Sequence, residues 1–191
     1  MRGGVCDWPP ELRLPLVTVI DTAGTALSRS AEEGALAGEI ARCLADLITL
    51  ACPTVAVFLG QGSGGGALAF VAADRVIAAE HAWLAPLSPE GASEIIYHSA
   101  GHAPELASRH RVSSGLLAAD GIVDLVVAGH PDAADEPEEF SRRMSAVVAA
   151  VLARSAAHPE GDRRHARYRY LGLAAHGARA RSAPVPGTRQ S

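Results

Sequence analysis

Aromatic side chains are scarce in this 191-residue chain, at 4% of the total. An interior of large ring clusters is thereby excluded, and closely packed small residues must fill the core instead. Three cysteines, Cys6, Cys43 and Cys52, show neither CxxC nor Cys/His spacing. That odd number speaks against a disulfide framework and a zinc site, and the three read as reduced thiols of a cytoplasmic protein. A formal net charge of −4 gives no global reason to expect nucleic acid. No apolar run approaches a membrane span. Met1 to Glu11, with Asp7, Pro9 and Pro10, lacks the apolar centre of a secretory leader, so a soluble, intracellular protein is expected. No repeat is present. Hydrophobic residues make up 48% of the chain, enough for the sizeable core of one domain.

Five glycines crowd into Gly60-Gln61-Gly62-Ser63-Gly64-Gly65-Gly66, between two apolar runs. The run before, Thr54 to Leu59, follows Pro53 and is apolar throughout, as in a strand buried on both faces. The run after, Ala67 to Ala73, is alanine-rich and predicts a helix of two turns. A strand, glycine loop and helix in that order leave the N–H groups of the helix start free and aimed at one spot, which attracts negative charge. A phosphate-cradling loop would need Lys and then Ser or Thr after the last glycine, where Ala67 stands. Gly60, Gly62 and Gly65 have dinucleotide-site spacing, yet no acidic residue follows at a strand end; Glu80 lies among alanines after only a short helix. A nucleophile elbow fails because Ser63 is flanked directly by Gly62 and Gly64. An oxyanion hole for a thioester enolate, built from peptide N–H groups, is the chemical reading that remains, with a tight turn devoid of chemistry as its alternative.

Elsewhere, Pro15 to Ile20 predicts a second buried strand ended by Asp21-Thr22-Ala23-Gly24. Ser30-Ala31-Glu32-Glu33 predicts a helix start, and Ile40, Leu44, Leu47, Ile48 and Ala51 carry that helix to Leu50. Short strands are expected at Asp74 to Ala79 and Ala82 to Ala85. Ser88-Pro89-Glu90-Gly91 then opens a helix running to Ser99. His98 and His102 read as a surface pair, since no third ligand is near. Helices at Pro104 to Arg111 and Ser113 to Gly121, a strand at Ile122 to Val127 and a long helix at Glu138 to Ala157 complete the prediction. The basic, tyrosine-bearing stretch Asp162 to Tyr170 reads as a solvated terminal helix rather than an RNA contact. One domain over 11–173 and a disordered tail over 174–191 are expected.

This order of elements fits a ββα spiral as well as a doubly wound sheet. Ile20-Asp21-Thr22-Ala23-Gly24, Ala31-Glu32-Glu33, Ile40-Ala41-Arg42, Gly60-Gln61-Gly62 with Gly65-Gly66-Ala67-Leu68, Asp74-Arg75-Val76, Ser88-Pro89-Glu90-Gly91 and Ala103-Pro104-Glu105 choose between them. In order and spacing they resemble the acetyl-CoA carboxylase carboxyltransferase alpha subunit. The resemblance implies an α/β crotonase/ClpP-like ββα superhelix entered part-way through its spiral. It implies carboxyl transfer from carboxybiotin to acetyl-CoA or a short acyl-CoA, giving malonyl-CoA for fatty acid biosynthesis. Biotin would arrive on a biotin carboxyl carrier protein, a beta-type carboxyltransferase subunit or domain would complete the site, and no metal is expected in this chain. The N–H groups of Gly65, Gly66 and Ala67 are the expected oxyanion donors. Gly62, Ser63, Gly64, Ser88, Pro89, Glu90 and Gly91 are the expected substrate- and biotin-binding residues. The sequence departs from the family where Ala23 replaces Pro, Gln61 replaces Glu, and Gly34-Ala35 replaces Arg-Gly. Two alternatives remain: a non-catalytic assembly subunit of the same complex, and a ClpP-like serine peptidase, for which Ser63 and His81 are near misses.

Overall fold

The computed structural model describes residues 14–24 and 35–155 together with Arg163, Ala166 and Arg167. The elements follow in the order β1 (Leu16–Thr22), α1 (Leu36–Thr49), β2 (Thr54–Ser63), α2 (Gly64–Ala69), β3 (Arg75–Ala79), β4 (Trp83–Ala85), α3 (Pro89–Tyr97), α4 (Ala103–Arg109), α5 (Ser114–Ala119), β5 (Leu125–Val127) and α6 (Pro137–Ser155). All strand pairs are parallel, in the order β1-β2-β3-β5 with β4 also on β2. The spine is β2, which changes partner along its length: Val55–Phe58 pair with β3, and Gln61–Ser63 pair with β4. β3 and β4 therefore continue one another along the same strand instead of folding back as a hairpin.

The core follows from that spine. Val55, Val57, Phe58, Val76 and Ile77 are buried, with Met144 and Val151 of α6 in the same cluster. Small residues complete it, including Ala56, Ala67, Ala73, Ala78, Ala79 and Ala82, as the scarcity of aromatics requires. Full burial of one Val or Ile side chain contributes about 1.5–3 kcal/mol.

Several expectations are corrected. β2 does not stop at Leu59 but runs through Gly60–Ser63, because β4 supplies new backbone partners there. Consequently no loop separates strand from helix, and α2 spans six residues from Gly64 instead of two turns from Ala67. β1 is not buried on both faces: Ile20 is 3% exposed while Val17 and Val19 are 36% and 61% exposed. Among the described strands β1 pairs only with β2, so it is an edge. β5 is three residues long. Ile122 and Val123 instead turn back, both donating to the Leu117 carbonyl at 2.9 and 3.2 Å. The helix start expected at Ser30 and the tail over 174–191 lie outside the described residues. No helix among the described residues is long and apolar enough to cross a membrane.

At Arg167 the reading of the basic stretch as solvated is corrected, since that side chain is fully buried, while most of the stretch lies outside the described residues. Its Nε and Nη2 donate to Asp74 Oδ1 and Oδ2 at 2.8 and 3.1 Å. Nη1 donates to the carbonyls of Leu47, Ile48 and Leu50 at 3.0, 3.3 and 2.6 Å, and Nη2 donates to that of Cys52 at 2.8 Å. The guanidinium thus occupies the C-terminal end of α1, where last-turn carbonyls lack helical donors and cations are favoured.

Candidate active site

The β2–α2 junction is assembled from below by β1. Register slips between Ile20 and Thr22, and Asp21 Oδ1 accepts the Gln61 N–H at 3.0 Å. A Cβ at Gly60 would lie 2.7 Å from that same oxygen, so glycine is what lets the carboxylate close on the strand. Ser63 is buried, sits in extended conformation as the N-cap of α2, and makes no capping bond with its side chain. The chain passes into the helix through Gly64 at φ +74°. That left-handed step has no side-chain penalty for glycine.

By the i to i−4 rule, Gly64, Gly65 and Gly66 have no carbonyl partner within α2, whereas Ala67 is the first residue whose N–H the helix ties, to the Ser63 carbonyl. The three glycines are half-buried and Ala67 is 1% exposed. A Cβ at Gly65 would meet Ile40 Cδ1 of α1 at 3.1 Å, so the glycine packs against that helix. Gly62 serves the sheet instead, since a Cβ there would come 2.9 Å from the Trp83 carbonyl oxygen. Its missing side chain is what allows β4 to dock.

A cavity of about 680 Å³ opens beside this junction. Its walls include Gln61 late in β2, Glu80 and His81 just after β3, Trp83, and Ser88, Pro89 and Glu90 after β4. Ligands of open parallel sheets bind at such carboxyl ends of strands. Ser88 Oγ accepts the Gly91 N–H at 3.1 Å and Pro89 begins α3, as the sequence pattern predicts. Gly91 serves the cap: a Cβ would meet Ser88 Oγ at 3.1 Å.

Of the expected site residues, Ser88, Pro89 and Glu90 line the cavity, while Gly62, Ser63, Gly64, Gly65, Gly66, Ala67 and Gly91 do not. Gln61 and Gly65 are four positions apart, which limits their separation to about 13 Å along an extended chain. Glu80, His81 and Trp83 were not among the residues expected at the site. Their sequence signal is position alone, directly after one parallel strand and at the start of the next. Glu80 Oε2 accepts the Gly129 N–H at 2.6 Å, and its carbonyl accepts the Ser114 hydroxyl at 2.5 Å. His102 is exposed, with its ring centroid 4.2 Å from that of Tyr97 and the planes tilted at 31°.

The cavity size suits a small organic group, and its lining combines donors at Gln61, Ser88 and His81 with apolar surface at Trp83 and Pro89. Among the described residues no group of three or more His, Cys, Asp or Glu is placed to hold a metal ion. The displaced titrations among the described residues, those of Cys43, Arg111 and Asp120, lie away from this cavity. Burial, then Asp46, pushes the Cys43 thiol up. Asp120 is held below the usual carboxylate range, first by its hydrogen bond from Arg111.

A family model described as acetyl co-enzyme A carboxylase carboxyltransferase-like matches residues 9–173. The chain is 55% identical over 166 residues to a Mycobacterium tuberculosis protein named "Probable biotin-dependent acyl-coenzyme A carboxylase beta3 subunit", covering 85% of this chain and 34% of that one. It is 40% identical over 173 residues to the Salinispora tropica "Acetyl-coenzyme A carboxylase carboxyl transferase subunits beta/alpha", covering 87% and 30%. The chain thus spans about a third of the length of these curated relatives. Among solved structures, a Pseudomonas malonate decarboxylase hetero-tetramer in complex with coenzyme A matches at a TM-score of 0.65 and 17% identity, over 87% of this chain and 65% of that one. That likeness is one of fold, and the fold is the crotonase-type α/β superhelix expected from the sequence.

Proposed function

Because this chain belongs to the acetyl-CoA carboxylase carboxyltransferase-like family, we propose that it is the alpha-type component of a biotin-dependent acyl-CoA carboxylase. Its reaction is carboxyl transfer from carboxybiotin to acetyl-CoA or a short acyl-CoA, with malonyl-CoA as the product of the acetyl case. A beta-type carboxyltransferase subunit or domain and a biotin carboxyl carrier protein are its partners. The observation that carries this reading is the β2–α2 junction, where consecutive glycine amides open a helix with no carbonyl of that helix to bond.

Removing the α-proton of an acyl thioester moves negative charge onto the thioester oxygen. Two fixed N–H groups facing that oxygen favour the charged state over the neutral carbonyl. Gly65 and Gly66 supply the pair, since Ala67 spends its amide inside α2 and contributes a buried methyl as backing. Gly62, Ser63 and Gly64 set the angle at which those amides leave the strand. On the cavity side, Gln61, Ser88, Pro89, Glu90 and the capped Gly91 start of α3 would hold the biotin ring. When bound there, carboxybiotin supplies the carboxyl group.

The test replaces an amide rather than a side chain. With Gly65→Ala as the control that brings the same Cβ against Ile40 Cδ1 at 3.1 Å yet keeps the N–H, Gly65→Pro deletes that N–H at a first-turn position of α2. Reconstituted with the beta-type partner, carboxylated biotin and acetyl-CoA, the variant should make malonyl-CoA about 10²–10³ times more slowly than wild type, the worth of one oxyanion donor. Full activity in a folded variant would point to a non-catalytic assembly role. No product from wild type with any full-length partner would overturn the proposal.

A further inference from the structure

We propose that His81 binds the carboxylate of the carboxylated acyl thioester, and that Gly129 positions its ring; this rests on the carboxyltransferase reading. The cavity wall carries two acidic side chains, Glu80 and Glu90. A thioester that has gained a carboxylate brings a third negative charge to that wall. Among the described side chains lining the cavity, His81 is the one that can carry positive charge, and an imidazole N–H is a good donor to a carboxylate.

Glu80 is already committed, with Oε2 accepting the Gly129 N–H at 2.6 Å. That bond draws the backbone of 129 under the neighbouring imidazole. A Cβ at Gly129 would lie 2.7 Å from His81 Nε2 and 2.9 Å from Cδ2, so the ring rests on bare backbone. His130 stands edge-on to it, with centroids 6.4 Å apart and planes at 86°. Ring and carboxylate partner are thus held by one peptide, from a segment about fifty residues further along the chain. A side chain at 129 meets the far end of the ring first and Glu80 Oε2 next, at 3.1 Å.

The experiment measures binding of malonyl-CoA and acetyl-CoA to the native assembly containing the full chain, as wild type, His81→Ala and Gly129→Ala. His81→Ala should weaken malonyl-CoA by about tenfold or more, the loss of a charge-assisted hydrogen bond, with acetyl-CoA changed less than about twofold. Gly129→Ala should shift the ratio in the same direction. An unchanged malonyl-to-acetyl ratio in His81→Ala, or equal weakening of both thioesters, overturns this inference alone. Wild-type protein that binds neither thioester overturns the carboxyltransferase reading and this inference with it.

Discussion

Arg167→Ala is the most severe single change this structure predicts outside the site. The guanidinium is fully buried, and the Asp74 side chain opposite is 6% exposed. Truncation leaves that carboxylate without its counter-ion and deprives the carbonyls of Leu47, Ile48, Leu50 and Cys52 of their donor. Breaking a buried ion pair from one side costs about 3–5 kcal/mol. Against a typical total of about 5–15 kcal/mol, that is a large share. At about 2–4 °C per kcal/mol for a chain of this size, the midpoint of thermal unfolding should fall by about 6–20 °C. Urea unfolding should give the same loss with an unchanged slope, because the surface exposed on unfolding is nearly the same. Arg167→Lys should recover less than half, since a single ammonium cannot serve the Asp74 fork and the carbonyl cluster together. Asp74→Asn with Arg167→Met should cost less than Arg167→Ala, because no buried charge is left unpaired. A midpoint for Arg167→Ala within about 2 °C of wild type would refute the reasoning.

Four further outcomes are expected. Gly38 in α1 has nothing within 4 Å of an added Cβ, so Gly38→Ala should stabilise the fold by about 0.5–1 kcal/mol in urea titration. Gly62→Ala sets a methyl 2.9 Å from the Trp83 carbonyl oxygen and 3.1 Å from Phe58 Cε1, neither able to yield cheaply. A loss of about 1–3 kcal/mol and faster amide exchange in β4 should follow. Ser88→Ala removes the bond to the Gly91 N–H and should cost about 1 kcal/mol, read as a lower thermal midpoint. Burial and Asp46 raise the Cys43 thiol, so less of it is thiolate near pH 8 than in a free thiol. Alkylation of Cys43 in the folded protein should therefore be slower than in the unfolded chain, with the gap closing as pH rises above the ordinary thiol range.

Local patterns carried the parts of this fold that local chemistry decides. Ser88-Pro89-Glu90 announced a capped helix start, and Thr54 to Phe58 announced the buried strand at the centre of the sheet. The glycine run read as a loop because glycine disfavours strands in isolation. Only the arrival of β4, twenty-odd residues later, extends β2 through Gln61–Ser63. An apolar β1 could not reveal that one of its faces stays open, since burial depends on neighbours and not on composition. Arg167 lies in a stretch whose charge suggests solvent, yet its partners are carbonyls 115 to 120 residues earlier. The cavity shares that long-range origin: Glu80 and His81 acquire meaning only when β3 and β4 line up end to end on β2.

The long reach of Arg167 also sets a timetable for synthesis. Its bond to Cys52 spans 115 residues, and at about 5–20 residues per second a ribosome needs roughly 6–23 s to make that interval. During that time a nascent chain holding β1 to β5 has its sheet but no cation to close the end of α1. A vectorially emerging chain should therefore remain open to proteases and chaperones around the end of α1 until the segment carrying Arg167 has left the exit tunnel.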